Sequence, residues 1–229
     1  MAANLPEDFT RYDQKLEFIL RTSARIFAEK GYHSTSMRDI SRETRVSLAG
    51  LYYYCRSKDE LLFLIQDNCF GRVLERLEER LRETDDAVER LRLVIENHLS
   101  FFAANMAEMK VLSHEAESLA GEMRERVSGK KQQYTRLVRR ILSDVQSQQP
   151  AAARPKVDLT VATYALFGMM NWIYNWYDPS GKLSVGDLVD NVSRLFLTGF
   201  LAARPEEGMH FTPRAAPAER LSVWRDPQG

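Results

Sequence analysis

The stretch that decides the fold is residues 34–61, STSMRDISRETRVSLAGLYYYCRSKDEL. It predicts two short helices joined by a tight turn, followed at once by the start of a third helix. Ser36 lies three residues before Asp39, a near match to the capping box that opens a helix. Ser57 and Glu60 have the same spacing and form a clean capping box at the third helix.

The second short helix, around residues 48–54, indicates what this segment binds. Successive side chains on a helix are about 100° apart, so the three tyrosines at positions 52–54 cannot all face inward. Small side chains followed by tyrosine hydroxyls and a lysine are typical of a helix-turn-helix whose second helix enters the DNA major groove. We expect DNA contacts from Ser36, Arg38, Leu48, Ala49, Gly50, Tyr52, Tyr53, Tyr54 and Lys58.

These residues have two expected roles. Tyr52, Tyr54 and Lys58 are expected to hold phosphates, with Ser36 and Arg38 at the adjacent helix start. Residues 48–50 are expected to face base edges. Few of these side chains can make a bidentate base contact. Part of the specificity is therefore left to Arg38, to Arg45 or to the shape of the DNA backbone.

At fixed spacing, the same residues resemble the N-terminal DNA-binding domain of the TetR family of transcriptional repressors over residues 14–65. The resemblance lies in Gly31-Tyr32, Thr35 to Ile40, Val46-Ser47, Leu51-Tyr52-x-Tyr54 and Ser57-Lys58-Asp59-x-Leu61. It implies a three-helix head on a larger helical body. Two positions depart from the family pattern: Arg45 stands where the turn usually carries Gly, and Cys55 where a Phe usually packs.

Charge and composition are compatible with such a protein. The chain has 229 residues, 44% of them hydrophobic, and a formal net charge of zero. Residues 11–58, however, hold ten Lys or Arg against five Asp or Glu, so a basic end precedes an acidic remainder. The sequence has no nucleophile elbow, P-loop or dinucleotide fingerprint, and we expect no enzymatic activity.

The periodicity predicts an all-α chain of about nine helices. We divide it into an N-terminal arm (1–13), a helix-turn-helix domain (14–60), an effector-binding and dimerisation domain (61–204) and a flexible tail (205–229). The helices of the body are expected at 58–83, 85–106, 108–119, 121–147, 157–177 and 184–203, with a proline-bounded loop at 150–155.

Cysteine usage and hydropathy set the expected compartment. Cys55 and Cys69 form no CxxC pair and are expected to be reduced thiols. The N-terminal segment has no signal-peptide core, and no apolar run is long enough to span a membrane. We therefore expect a cytoplasmic protein with no membrane partner.

The segment 157–177 is apolar on nearly every side and rich in aromatic residues. Such a helix belongs in a core or in a subunit interface. The family resemblance implies the interface, because the last two helices of TetR-type repressors usually pair with the same helices of a second subunit. A homodimer is the expected state.

The bulky residues of the body predict an apolar ligand pocket, although core packing is the commoner use of each one singly. The candidate ligand-binding residues are Phe101, Phe102, Met106, Met109, Met123, Arg124, Lys130, Lys131, Tyr134, Phe167, Met170, Asn171 and Tyr174. The stretch 167–177 is similar to regulators of fatty-acid, steroid-ring and aromatic-acid catabolism, many of which respond to acyl-CoA thioesters. The cations at 124–140 would suit the CoA phosphates, or they form an ordinary solvated face.

The sequence leaves three hypotheses for the function of the body. It binds an acyl-CoA effector, it binds another apolar ligand, or it serves only as an interface. No cofactor is expected. A metal site is not expected either, because His98 and His114 have no tight ligand spacing with the nearby glutamates.

Overall fold

The computed structural model describes residues 10–149 and 157–201, and over these residues the chain is all-α, as the periodicity predicts. Nine α-helices lie in this part: α1 (Arg11–Lys30), α2 (Met37–Thr44), α3 (Leu48–Tyr54), α4 (Lys58–Leu81), α5 (Ala87–Ala103), α6 (Met106–His114), α7 (Gly121–Gln148), α8 (Leu159–Asn171) and α9 (Val185–Leu201). A 3₁₀ segment, Trp172–Asn175, follows α8.

Side-chain caps explain where the first helices begin. Thr10 and Asp13 form a capping box at α1, and Ser36 and Asp39 form one at α2. Residues 11–13 of the predicted arm therefore belong to α1. The rest of the arm before residue 10, the predicted loop at 150–155 and the predicted tail at 205–229 lie outside the described residues.

The cap of α4 differs from the predicted capping box. The Ser57 side chain accepts a hydrogen bond from the backbone N–H of Glu60, as expected. The Glu60 carboxylate, however, accepts from the backbone N–H of Arg56 and not from that of Ser57. The carboxylate thereby satisfies a donor of the loop just ahead of the helix.

Two hydrophobic cores organise the described residues. The first joins α1–α3 to the start of α4 through residues such as Ile19, Ile40, Leu51 and Leu61. The second joins the C-terminal half of α4 to α5, α7, α8 and α9. Because α4 contributes to both cores, it connects the head of the molecule to its body.

Helix α6 also contributes to both cores. Val111 is buried in the head core, whereas Met109, two residues earlier, is buried in the body core. Successive positions on a helix point in different directions, so one short helix can pack against both units. Gln66 on α4 fixes the end of α6 further, because its Nε2 donates to the carbonyl of Glu115 at 3.0 Å.

Helix α8 is shorter and more exposed than the predicted helix at 157–177. The α-helix ends at Asn171, and the backbone tightens into the 3₁₀ segment. Val161 and Tyr164 on α8, and Trp172 at the start of the 3₁₀ segment, are each more than half exposed. In residues 10–149 and 157–201, no helix is long and apolar enough to cross a membrane.

Candidate nucleic-acid interface and ligand cavity

Helix α3 presents two tyrosines to solvent from a tightly packed backbone. Tyr52 is 50% exposed and Tyr53 72% exposed, while Leu51 between the turn and the tyrosines is fully buried. A Cβ on Gly50 would lie 2.9 Å from Cγ1 of Val46, so only glycine lets α3 approach the turn this closely. Among the other predicted base-facing residues, Ala49 is exposed and Leu48 is partly buried.

The beginning of α1 supports the tyrosines of α3. The ring of Tyr12 lies 4.8 Å from that of Tyr54 and contacts Tyr53 edge-on at 5.9 Å between centroids. Arg11 and Lys15 line the same open groove. Hydroxyls and cations together form a surface suited to phosphate oxygens. Arg11 and Lys15 belong to the basic segment of the sequence, but no motif assigned them, or Tyr12, to the interface.

Lys58 has a position that the sequence did not predict. Its Nζ donates to the carbonyls of Tyr32, at 2.9 Å, and Thr35, at 3.0 Å, and lies 4.3 Å from the centre of the Tyr32 ring. An ammonium group has three hydrogens, so two of them are used inside the head. Lys58 therefore fastens α4 to the loop between α1 and α2, and a phosphate contact by its third hydrogen stays a prediction.

The remaining predicted contacts lie on α2 and its turn. The Ser36 hydroxyl and backbone N–H donate to the Asp39 carboxylate, and these bonds lower the pKa of Asp39 to about 2. Arg38 is exposed on α2. Arg45 adopts the left-handed conformation, with φ 53° and ψ 29°, at the position where the family usually carries Gly.

The body encloses a cavity of about 400 Å³ among α5, α6, α7 and α8. His98, Phe102, Met109 and Tyr134 form its buried end. Lys131 and exposed residues of α8 lie at its mouth. The volume is at the lower end of the range typical of small-molecule sites.

Seven predicted ligand-binding residues line this cavity: Phe102, Met109, Lys131, Tyr134, Phe167, Asn171 and Tyr174. Phe101, Met106 and Met170 pack into the body core instead, and Met123 packs against the head core. Arg124 is exposed on α7 away from the cavity lining.

Lys130 is also placed differently from the prediction. Its Nζ lies 2.7 Å from the Asp67 carboxylate and donates to the Asp67 carbonyl at 2.9 Å, so it joins α7 to α4. Arg126 pairs with the same carboxylate at 3.2 Å. Among the described residues that line the cavity, Lys131 is the only Lys or Arg.

His98 lines the cavity but was not among the ligand-binding residues predicted from the sequence. Its Nδ1 lies 3.1 Å from the Tyr134 hydroxyl, and burial lowers its pKa to about 3 while raising that of Tyr134. His98 is four residues before Phe102 and lies on the same face of α5. This spacing in the sequence could have assigned His98 to the cavity together with Phe102. No group of three possible metal ligands lies among the described residues.

The comparisons with known proteins agree with this arrangement. The model for the tetR family of bacterial regulatory proteins matches residues 19–65, and that for the tetracyclin repressor-like C-terminal domain matches residues 84–200. The fatty acid metabolism regulator protein of Bacillus subtilis (strain 168) is 26% identical over 184 residues, which are 79% of this chain and 93% of that protein.

Two further relatives match over a similar share of the chain. The transcriptional repressor KstR2 of Mycobacterium tuberculosis (strain ATCC 25618 / H37Rv) is 23% identical over 193 residues, covering 83% of this chain and 93% of that one. The crystal structure of AibR in complex with isovaleryl coenzyme A and operator DNA is similar with a TM-score of 0.70 and 30% identity. That match covers 79% of this chain and 97% of AibR.

Both family models match in chain order, the first on the helix-turn-helix head and the second on the body that holds the cavity. The proteins of this family are transcriptional regulators and not enzymes. The chain belongs to the TetR family of DNA-binding transcriptional repressors.

Proposed function

We propose that the protein is a homodimeric repressor whose effector, an acyl-CoA thioester, binds in the cavity of the body and releases operator DNA. The observation that carries this proposal is the cavity itself: a buried end lined by uncharged and mostly apolar side chains, with a cation at the exposed mouth. AibR, which has been solved with isovaleryl coenzyme A and operator DNA, is similar over most of both chains.

The chemistry of the cavity favours a thioester over a free acid. The buried end contains the neutral groups His98 and Tyr134 among apolar side chains. A carboxylate placed there would be desolvated without a partner of opposite charge. A thioester is neutral, and the phosphates of CoA would stay outside the mouth on the side of Lys131.

Helix α6 offers a route from the cavity to the DNA-binding head. Met109 lines the cavity, while Val111 is buried in the head core, and α6 packs against α1 and α4. A ligand that prefers one position of α6 therefore also selects one orientation of the head. The orientation of two heads in a dimer decides whether both recognition helices reach successive major grooves.

The exposed apolar side chains of the C-terminal helices support a homodimer. Six of them are Val161, Tyr164, Trp172, Trp176, Leu183 and Leu195. They lie on α8, α9 and the connection between these helices. A two-fold pairing of this surface with the same surface of a second copy would bury them and would place two heads on a palindromic site.

Titration calorimetry with purified dimer tests the effector. The panel contains acyl-CoAs of increasing chain length, free CoA and the matching free acids, and a gel shift follows release of a DNA site selected from a random pool. We expect acyl-CoAs to bind and to release the DNA. Free acids that bind as tightly as their CoA esters would contradict the thioester assignment.

A charge variant and a matched control locate the CoA. Lys131→Ala should weaken acyl-CoA binding, because it removes the cation at the mouth. Arg136→Ala, on an exposed part of the same helix, removes a cation that does not line the cavity. Equal losses in the two variants would indicate a general charge effect and would contradict binding at this mouth.

A further inference from the structure

The buried end of the cavity contains a polar pair whose hydrogen-bonding capacity the described residues do not use completely. His98 and Tyr134 are each 3% exposed, and they meet through Nδ1 and Oη at 3.1 Å. The rings of Phe102 and Phe167 lie 4.7 and 6.1 Å from the imidazole. Buried polar atoms in such apolar surroundings are normally hydrogen-bonded.

The second ring nitrogen of His98 has no such partner. Among the described residues, no hydrogen bond reaches Nε2. Asn171, which also lines the cavity, is the candidate partner within the protein: its hydrogen bonding to the imidazole acts against the lowering of the His98 pKa, although it forms no regular hydrogen bond to Nε2 in this geometry. A buried polar atom without a partner, on a residue that lines a cavity, points to a ligand group.

Counting hydrogens shows which kind of group is missing. A neutral imidazole has one N–H, and a tyrosine has one O–H. If Oη donates to Nδ1, the remaining hydrogen lies on Nε2. If Nδ1 donates to Oη, the remaining hydrogen lies on Oη. Both arrangements leave one donor of the His98–Tyr134 pair without an acceptor among the described residues.

The acceptor that fits this donor is a neutral oxygen. His98 stays uncharged near neutral pH because it is buried, so the pair offers a hydrogen but no positive charge. A carbonyl oxygen accepts such a bond without bringing a charge into the apolar end. Lys131 lies three residues before Tyr134 on the same face of α7, which places the mouth beside the pair.

We infer that the His98–Tyr134 pair binds the thioester carbonyl oxygen of the effector. This inference rests on the acyl-CoA function proposed above. The pair would donate a hydrogen bond to the carbonyl oxygen next to the sulfur. The apolar side chains around the pair would contact the acyl group. The cavity would therefore distinguish a thioester from a molecule of the same length and charge that lacks this one oxygen.

The decisive comparison uses an acyl-CoA and the S-alkyl-CoA thioether with the same number of carbons. The thioether lacks only the carbonyl oxygen. Calorimetry on the wild-type protein should show the thioester binding at least about tenfold more tightly, because the thioether leaves a buried donor unpaired. This measurement needs no variant and is therefore independent of folding defects.

Two variants identify the donor. His98→Phe should remove the preference if the free hydrogen lies on Nε2, and Tyr134→Phe should remove it if the free hydrogen lies on Oη. Thr163→Val is the matched control, since Thr163 is buried in the same body outside the cavity lining and donates to the Leu159 carbonyl within its own helix at 2.6 Å. It should keep the preference, and circular dichroism checks the fold of all three.

The outcomes separate this inference from the proposed function. Equal affinity of the wild-type protein for thioester and thioether would overturn the carbonyl contact and leave the CoA effector standing. A thioester preference that persists in both His98→Phe and Tyr134→Phe would overturn the role of the pair. Failure of both CoA compounds to bind the wild-type protein would overturn the proposed function itself.

Discussion

The Nε2 of His114 lies 3.1 Å from the Oη of Tyr174. This contact joins the C-terminal end of α6 to the 3₁₀ segment after α8, and the two rings also meet edge-on at 5.5 Å between centroids. Tyr174 lines the cavity, and α6 packs into the head core. The contact therefore lies between the proposed effector site and the DNA-binding head.

We predict that Tyr174→Phe weakens the coupling between effector and DNA. The ring stays in the cavity, but the hydrogen bond to α6 is lost. The ratio of DNA affinities without and with effector should fall severalfold, corresponding to about 1 kcal/mol of coupling. Gel-shift titrations measure this ratio. Tyr177→Phe serves as the control: Tyr177 is buried in the body core, does not line the cavity, and its hydroxyl has no hydrogen bond among the described residues, so the ratio should stay unchanged.

Arg45→Gly should stabilise the protein. Arg45 has a φ of 53°, a conformation that costs a side-chain-bearing residue about 1–2 kcal/mol, and glycine adopts it freely. Glycine also has more freedom in the unfolded chain, so we expect a net gain of about 0.5–1 kcal/mol in the free energy of unfolding. Urea titration measures it. Arg45→Ala keeps the strain, and an equal gain from alanine would contradict this explanation.

Lys58→Met should destabilise the head. The carbonyls of Tyr32 and Thr35 would lose the donor that now lies 2.9 and 3.0 Å away, at a cost of about 1–3 kcal/mol. Thermal unfolding measures the loss. Unchanged stability would show that these two bonds are not important for the fold.

Tyr52→Phe, in contrast to Lys58→Met, should weaken DNA binding and leave the stability of the head nearly unchanged. Tyr52 is half exposed, so stability should change by less than about 0.5 kcal/mol, while the affinity for DNA of any sequence falls because a phosphate contact is lost. Gel shifts at several salt concentrations test this assignment. Unchanged affinity at every salt concentration would remove Tyr52 from the phosphate contacts.

Leu195→Glu should give monomers. Leu195 is 68% exposed on α9, so a charge there interferes with pairing but not with the fold of one subunit. Sedimentation velocity distinguishes monomer from dimer, and an intact dimer would argue against this interface. The neighbouring Phe196 is only 8% exposed and lies in the body core, so Phe196→Glu would unfold the body and would not test the interface.

Acid should destabilise the body through His98. The folded-state pKa of about 3 lies below the ordinary value of 6.5, so the unfolded chain binds a proton first as the pH falls. This contribution to stability is complete above pH 6.5 and is lost below it, with a slope of at most about 1.4 kcal/mol per pH unit. Urea unfolding at several pH values measures the free energy of unfolding. Below pH 6.5 it should fall less steeply with falling pH for His98→Phe than for the control His33→Gln.

Much of the head could be predicted because its signals are local. The caps at Ser36, Ser47 and Ser57 act on backbone groups three residues away, and the helices begin where these residues predict. The position of Lys58 could not be predicted in the same way. Its two acceptors, the carbonyls of Tyr32 and Thr35, are 26 and 23 residues away in the chain.

The sequence by itself determined the all-α class, the helix-turn-helix and the family, because periodicity, caps and motif spacing are properties of short segments. Only the tertiary structure decided which body residues meet. It placed Lys130 on Asp67 and His98 beside Tyr134, since helix rotation and the packing of distant helices set these contacts. Residues on one helix face are visible in the sequence, but the face that each helix turns toward the cavity is decided by the folded body.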